Sequence, residues 1–355
     1  MKRRTFLATT SKLSVAMTIP YSFSRRGFAA MLPSDLTSLS AVHLSQAIRE
    51  KHASCVEVMQ AYLSRIDKYN GVYNAIVSLQ SEQDLLKQAQ EADHELAAGK
   101  YRGWMHGMPH AVKDLAAVGG IRHTSGSLLY ADRIAEQDSA MVSRIRAAGA
   151  IFVGKTNTPE FGLGSQSYNP IFGATGCAYN PGLTSGGSSG GAGSALGTQM
   201  LPVADGSDMM GSLRNPAAFN NVIGFRPSTN VMSGGSADQR GLSTSGPMGR
   251  NTEDTIQFLR TIAVKDFGTD FSPLDISGTK IGWLGSLNDY FPLEPGILDL
   301  CQNGLEEISQ EGAAIEELLP SFNPSDLWFS WTTLRHLGRA SMKRFFDDPV
   351  LREKL

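Results

Sequence analysis

The sequence predicts an α/β domain whose strands are covered by helices on both faces. Three observations support this prediction. After Gly99, helical and strand patterns alternate along the chain, and such alternation is typical of α/β folds. The predicted strands are short apolar runs, as expected of strands that are buried on both faces. Hydrophobic residues make up 41% and charged residues 19% of the 355 residues, which suits a packed core.

Before this alternation, the pattern predicts two opening helices, a short strand at 74–79 and a third helix at 81–98. In the second helix, Ser54 and Glu57 have the spacing of a capping box, in which each side chain binds the other residue's backbone N–H. Gly99 provides the stop signal of the third helix.

The alternating elements begin with the run PHAVKDLAAV, which is apolar except for Lys113 and Asp114. We see no internal repeat and no linker, so we treat residues 31–355 as one domain. The predicted elements are strands at 109–118, 150–153, 200–204, 280–284 and 313–318, and helices at 139–148, 252–264, 297–310 and 324–355.

Charge and hydropathy exclude two classes of partner. Lys and Arg number 32 against 34 Asp and Glu, so the chain lacks the basic field that nucleic-acid binding requires. No run reaches the roughly 18 apolar residues that a membrane-spanning helix needs.

The amino terminus resembles a twin-arginine export signal. Arg3 and Arg4 precede Thr-Phe-Leu, an apolar stretch and a group of small residues, which is the order of such signals. We therefore expect residues 1–30 to be a signal peptide and the protein to be exported to the periplasm. The alternative is a basic tail in a cytoplasmic protein.

Cysteine and histidine spacing predicts neither a disulfide framework nor a metal site. Cys55, Cys177 and Cys301 are far apart and odd in number. His106 and His110 are separated by a glycine and a proline, so they do not share a helix face, and there is no HExxH pattern.

A phosphate-loop pattern occurs at 149–156 (GAIFVGKT). That loop needs flexible residues between its glycines, whereas Ala, Ile, Phe and Val predict a strand here. We do not expect a nucleotide site.

A nucleophile-elbow pattern occurs at 187–191 (GSSGG), with Ser189 as its central serine. An esterase of this type needs a histidine base, and the only histidine after this motif is His336. A Ser189–His336 esterase stays an alternative.

Lys113 and two Gly/Ser-rich segments suggest another chemistry. A lysine in an apolar strand is desolvated, so its pKa falls and its neutral amine can take a proton from a serine hydroxyl. Glycine-rich segments at 185–193 and 206–214 can bring backbone N–H groups close to a developing oxyanion. The alternative is a structural Lys113–Asp114 ion pair, with the glycine-rich segments forming ordinary turns.

At these residues the sequence resembles the amidase signature family. The resemblance runs from about Ser34 to Asp254 and includes GMPHAVKD (107–114), GKTNTPEF (154–161), TSGGSSGG (184–191), GSDMMGSLR (206–214), GFRPS (224–228) and GPMGR (246–250). It implies a mixed central β-sheet covered by helices and a cofactor-independent serine hydrolase that acts on small-molecule amides.

The resemblance also implies a role for each site residue. Ser212 is the nucleophile, Lys113 the general base, and Ser188, held by a cis peptide bond, the bridge between them. The expected oxyanion donors are the backbone N–H groups of 209–212, from Met209, Met210, Gly211 and Ser212. The expected supporting residues are Ser189, Asp208 and Arg214, the last two as an ion pair.

Two departures from the family pattern affect the expected activity. Met210 stands where the family usually has a glycine, so we expect the oxyanion hole to survive with an altered acyl pocket. The family domain normally continues past Leu355, and a truncated, non-catalytic relative is therefore an alternative. A component of a tRNA-linked amidotransferase is a third.

The substrate is expected to be an uncharged or weakly charged carboxamide, and a homodimer is possible. Six apolar residues are candidates for lining a pocket, although we favour core positions for them: Met209, Met210, Phe161, Leu163, Tyr168 and Phe172.

Overall fold

The structure is a computed structural model that describes residues 32–228, 230–232, 242–266, 268 and 274–355. The predicted signal peptide lies outside the described residues. Within them, no helix combines the length and apolarity that crossing a membrane requires.

Three helices form the amino-terminal layer: α1 (Ala41–Arg49), α2 (Cys55–Tyr73) and α3 (Glu82–Ala97). The predicted capping box is present, with Ser54 and Glu57 each bound to the other's backbone N–H. Gly99 follows α3 with a φ of +82°, a left-handed conformation that glycine adopts without a steric cost. The prediction for this layer is confirmed.

The strands of the described chain are short. They are β1 (Ile76–Val77), β2 (Pro109–Lys113), β3 (Ile151–Thr156), β4 (Tyr168–Asn169), β5 (Gly173–Ala174), β6 (Gly176–Cys177), β7 (Asn180–Thr184), β8 (Val203–Asp208), β9 (Ile223–Gly224), β10 (Thr244–Gly249), β11 (Lys280–Trp283) and β12 (Ala314–Glu317).

The central strands form a mixed arrangement of two three-stranded sheets. In the first, β3 lies between β1 and β2, antiparallel to β1 and parallel to β2. In the second, β10 lies between β8 and β9 and is antiparallel to both. The backbone N–H of Lys113 in β2 lies 3.2 Å from an Asp205 carboxylate oxygen in β8. This contact links the edges of the two sheets.

Four further helices cover these strands or pack beside them: α4 (Ala140–Ala147), α5 (Gly190–Gly197), α6 (Arg214–Asn220) and α7 (Thr252–Ile262). The N-cap of α7 is Asn251, whose side chain accepts the Asp254 N–H. The sequence pattern missed α5, in which glycine is frequent, and α6. The α/β fold class, with helices covering a mixed sheet, is confirmed.

The carboxy-terminal region contains a parallel pair, β11 and β12, with α8 (Ile297–Gln310) between them in sequence. The single helix predicted over 324–355 is wrong. The chain instead forms α9 (Pro324–Arg339), α10 (Lys343–Asp347) and α11 (Pro349–Arg352). Pro349 cannot donate a helical hydrogen bond, and Asp348 is extended and caps the last helix. Phe345 of α10 stacks on Phe161, with ring centroids 6.1 Å apart.

Candidate active site

Lys113, at the end of β2, is fully buried and lies among three serine hydroxyls. Its Nζ is 2.8 Å from Ser188 Oγ, 2.8 Å from Ser189 Oγ and 3.1 Å from Ser207 Oγ. A protonated lysine has three N–H donors, whereas a neutral amine has two donors and one lone pair. If all three contacts are hydrogen bonds, the lone pair of the neutral amine accepts a hydrogen bond from one of these hydroxyls.

The alternative pairing of Lys113 with Asp114 is wrong. Asp114 lies next to Lys113 in sequence, but its carboxylate accepts the N–H and hydroxyl of Thr124. It also lies 3.2 Å from His123 Nδ1 and 3.8 Å from Lys155 Nζ. Lys113 is left without a carboxylate within ion-pair distance in the described residues.

Burial lowers the pKa of Lys113 to about 7, although the negative charges of Asp205 and Asp208 oppose the shift. A charged amine loses its hydration when it is buried, and the neutral form is favoured. A substantial fraction of Lys113 is therefore neutral at physiological pH, as a general base requires.

Ser188 and Ser189 are presented at the start of α5. The Gly187–Ser188 peptide bond is cis, as the resemblance implied. Ser189 is the N-cap residue of α5 and is fully buried. Its Oγ contacts Lys113 and also accepts the Ser207 N–H at 3.3 Å.

The esterase alternative fails on this geometry. The Ser189 hydroxyl contacts Lys113 and Ser207, and no hydrogen bond joins it to His336 within the described chain. His336 lies in α9. A nucleophile at an elbow must be exposed to substrate, and Ser189 is not.

Ser212 lies beside Ser188 at the wall of a cavity of about 200 Å³. Its backbone carbonyl accepts the Ser189 N–H at 3.2 Å, which joins the two serine-bearing segments. Of the two hydroxyl contacts expected for the relay, Lys113–Ser188 is formed. In the described residues no hydrogen bond joins Ser188 Oγ to Ser212 Oγ.

Asp208 holds the loop that carries Ser212. Its carboxylate accepts the N–H groups of Gly211 at 2.8 Å and Leu213 at 3.1 Å. Arg214 approaches both carboxylate oxygens, at 3.0 and 3.1 Å, so the expected ion pair is present. Burial would raise the pKa of Asp208, but Arg214 and the two N–H donors outweigh it and lower the pKa to about 2.

Of the four backbone N–H groups expected as oxyanion donors, one already has a partner. Gly211 does not present a free N–H, because that group donates to Asp208. In the described structure the N–H groups of Met209, Met210 and Ser212 have no such partner. Gly211 has a φ of +106°, whereas Met210 is not among the residues with positive φ. The loop therefore accommodates a side chain at 210 without backbone strain.

The core positions favoured for the six apolar candidates are wrong, because none of the six is buried. Met209, Met210, Phe161 and Leu163 line the Ser212 cavity, and the Met210 side chain is 55% exposed. Their position beside a glycine-rich loop was the available signal. The other two do not line this cavity: Tyr168 is exposed and Phe172 is partly buried.

Sequence reasoning missed two parts of the site. Ser207 contacts Lys113 and lies inside the motif 206–214, so the motif contained the signal. Trp331, Arg335 and Arg339 of α9 also line the cavity, but no motif marks them.

The remaining motif matches have structural roles. Gly154 and Lys155 lie within β3, and the Lys155 Nζ donates to the Ala116 carbonyl. His106 lies 2.9 Å from the Ala92 carbonyl, and His110 lies 3.2 Å from Asp205. The part of the chain that the structure describes contains no group of three side chains suited to hold a metal ion.

Comparison with known proteins identifies the family to which these motifs belong. A family model described as Amidase matches residues 57–345, which is more than half of the chain. The chain belongs to the amidase signature family. An acylamidase of Rhodococcus erythropolis is 33% identical over 315 residues, covering 84% of this chain and 66% of the relative.

Other relatives within the family have a different function. A glutamyl-tRNA(Gln) amidotransferase component of Pseudomonas fluorescens is 35% identical, over 79% of this chain and 60% of the relative. This amidase signature chain thus spans less than two thirds of these relatives' length.

Solved structures of the family share the fold. A peptide amidase from Stenotrophomonas maltophilia superimposes with a TM-score of 0.69 at 27% identity, over 81% of this chain and 63% of that chain. A bacterial aryl acylamidase of the amidase signature family has a TM-score of 0.80 at 24% identity, over 89% of this chain and 70% of that chain.

Proposed function

We propose that this protein hydrolyses carboxylic amides through an acyl-enzyme on Ser212. The observation that carries the proposal is the buried Lys113 amine, 2.8 Å from Ser188 Oγ and with a pKa of about 7. Ser188 lines the same cavity as Ser212. A serine hydroxyl is a weak nucleophile until a base removes its proton, and Lys113 is suited to do so through Ser188.

In the first half-reaction, Ser212 Oγ forms a bond to the amide carbonyl carbon. Its proton passes to Ser188 Oγ, and the Ser188 proton passes to the lone pair of Lys113 Nζ. The same relay then returns a proton to the amide nitrogen as the C–N bond breaks. The Ser188–Ser212 hydrogen bond forms with substrate present, as catalytic hydrogen bonds often tighten only in the complex.

In the second half-reaction, water attacks the Ser212 ester and releases the carboxylic acid. Lys113 and Ser188 accept the proton of this water and return it to Ser212 Oγ. The N–H groups of Met209, Met210 and Ser212, which have no partner in the described part of the chain, stabilise the oxyanion in both steps. Because Asp208 fixes the loop, these N–H donors are already in place when negative charge develops on the substrate carbonyl oxygen.

A fluorophosphonate probe tests the proposal without knowledge of the substrate. We expect labelling of the folded protein, with the adduct mapped to Ser212 by mass spectrometry. Ser212→Ala and Lys113→Ala should lose labelling and amide hydrolysis, because they remove the nucleophile and the base. Ser189→Ala should keep partial activity.

Two results of this experiment would contradict the proposal. Absence of labelling in a folded sample would favour a non-catalytic relative. An adduct on Ser189 that survives in Ser212→Ala would favour the elbow mechanism.

A component of an amidotransferase, which transfers ammonia from an amide, is a second candidate. The 35% identity to such a relative favours it, and its first half-reaction would be the same. The export-like residues at 1–30 speak against it, and we propose export to the periplasm. Replacement of Arg3 and Arg4 by Lys should block that export. The homodimer stays a prediction.

A further inference from the structure

Helix α9 presents three side chains to the Ser212 cavity. Trp331, Arg335 and Arg339 all line it, and their spacing of four residues puts them in a row along one helix face. Arg339 also lines an adjoining cavity of about 350 Å³ whose wall includes Lys113 and Ser207. Arg339 therefore borders both the Ser212 cavity and the cavity that Lys113 lines.

Within the described residues, the N–H donors of this row have no hydrogen-bond acceptors. Neither Arg335 nor Arg339 has a carboxylate within 4 Å in the described structure. Arg335 lies over the Trp331 ring, 4.8 Å from its centroid. The Trp331 Nε1–H is buried and has no hydrogen-bond partner among the described residues.

The positive charges of Arg335 and Arg339 repel each other. Burial, together with the positive charge of Arg335, lowers the pKa of Arg339. Desolvated charges and buried polar groups without partners destabilise a folded protein. An anion bound between the two guanidinium groups would remove this repulsion and give the donors acceptors.

The chemistry of the donors indicates which anion fits. A guanidinium offers parallel N–H donors that match the two oxygens of a carboxylate. The indole N–H adds a single neutral donor. The cavity lining also includes the apolar side chains of Leu115, Phe161 and Met209, which can contact a short hydrocarbon segment.

We propose that Arg335 and Arg339 bind a carboxylate of the substrate, so that the amide hydrolysed at Ser212 belongs to an acyl chain with a second, anionic end. The proposal rests on the proposed amide hydrolysis. The substrate is then a dicarboxylic acid monoamide or a similar anionic amide, and not the uncharged or weakly charged carboxamide expected from the sequence.

The test compares glutaramate with valeramide, two primary amides of equal chain length that differ by the terminal carboxylate. We expect kcat/KM for ammonia release to favour glutaramate by about tenfold or more at low salt, the effect of one charged hydrogen bond. Arg335→Gln and Arg339→Gln should each reduce this preference by about tenfold, because each lowers kcat/KM for glutaramate more than kcat/KM for valeramide. Arg352→Gln, an exposed arginine outside the cavity, should keep the preference.

A binding measurement separates this proposal from the catalytic one. Ser212→Ala cannot turn over, and calorimetry should detect its binding of glutaramate but not of valeramide, weakening as salt rises. Equal affinity of Ser212→Ala for glutaramate and valeramide would overturn the carboxylate site, even if Ser212 is catalytic. So would an equal loss of kcat/KM for the two amides in the arginine variants. Glutaramate binding without hydrolysis by the wild type would support the carboxylate site and overturn only the proposed hydrolysis.

Discussion

At the scale of single residues, the Asp208 carboxylate fixes the conformation of the loop that carries Ser212. It accepts two loop N–H groups and a bidentate Arg214. Arg214 is exposed, so the ion pair itself adds little stability. The N–H contacts are made to a buried carboxylate and contribute more, because hydrogen bonds to charged groups are the stronger ones.

Asp208→Asn should therefore lower the free energy of unfolding by about 2 kcal/mol and reduce amide hydrolysis more than it weakens substrate binding. The amide keeps the shape but loses the charge that holds Gly211 and Leu213. Urea unfolding and steady-state kinetics measure the two effects. Asp347→Asn, at an exposed pair with Lys343, is the control and should cost no more than about 0.5 kcal/mol. Equal effects of the two substitutions would contradict this role.

Two parts of the site were predictable, on different grounds. The desolvated Lys113 follows from its residue type and its apolar sequence neighbourhood, whereas the Asp208–Arg214 pair was predicted from the resemblance to the family. The engagement of the Gly211 N–H was not predictable, because it depends on how the loop folds around Asp208. Arg335 reaches the cavity only through tertiary packing, and nothing in its sequence neighbourhood indicates this.

At the scale of elements, α5 is held by close backbone contacts. A Cβ atom at Gly191 would lie 2.3 Å from the Asn157 N and 2.5 Å from the Ala75 carbonyl oxygen. These backbone atoms cannot move aside as a flexible side chain would. The glycines of this helix therefore bring Ser188 and Ser189 close to the sheet that carries Lys113.

Gly191→Ala should lower the free energy of unfolding by about 3 kcal/mol, the upper range for overpacking a core. It should also weaken fluorophosphonate labelling, since α5 and its serines must shift. Gly304→Ala is the matched control, because Gly304 lies in α8 with open space around its Cβ position. Alanine there should stabilise by about 0.5–1 kcal/mol through helix propensity. A neutral Gly191→Ala would refute the close packing.

The sequence predicted elements where one signal dominates. Ser54 and Glu57 define the start of α2 by a local hydrogen-bond pattern, and apolar periodicity marks α3. The sequence-based prediction failed for α5, because the low helix propensity of glycine predicts a loop. Tertiary packing overrides this propensity, and a local pattern does not show such packing. The prediction also failed over 324–355, where Pro349 and the extended Asp348 divide the helical pattern.

At the scale of the whole molecule, a buried amine links stability to pH. The pKa of Lys113 is about 7 in the folded protein, against an ordinary value of 10.5. Between these values the unfolded chain binds more protons than the folded one, so the unfolding free energy rises with pH. Below pH 7 the contribution is constant and destabilising.

Relative to Lys113→Met, the wild type should therefore gain stability from about pH 7 to pH 10, by at most about 1.4 kcal/mol per pH unit. Lys155, whose pKa is lowered by burial to about 8, acts in the same direction in both proteins and cancels in the comparison. Urea denaturation across this range gives the difference. Parallel curves for the two proteins would mean that Lys113 keeps an ordinary pKa when folded.

The central claim is that Lys113 is a buried base, and direct titration of its amine tests it most closely. Carbon-13 NMR of lysine Cε in Ser212→Ala should show one resonance, absent in Lys113→Met, that titrates with a midpoint of about 7. Lys155→Met identifies the second shifted lysine. A Lys113 midpoint near the ordinary 10.5 would contradict the account, because a charged amine cannot accept the serine proton.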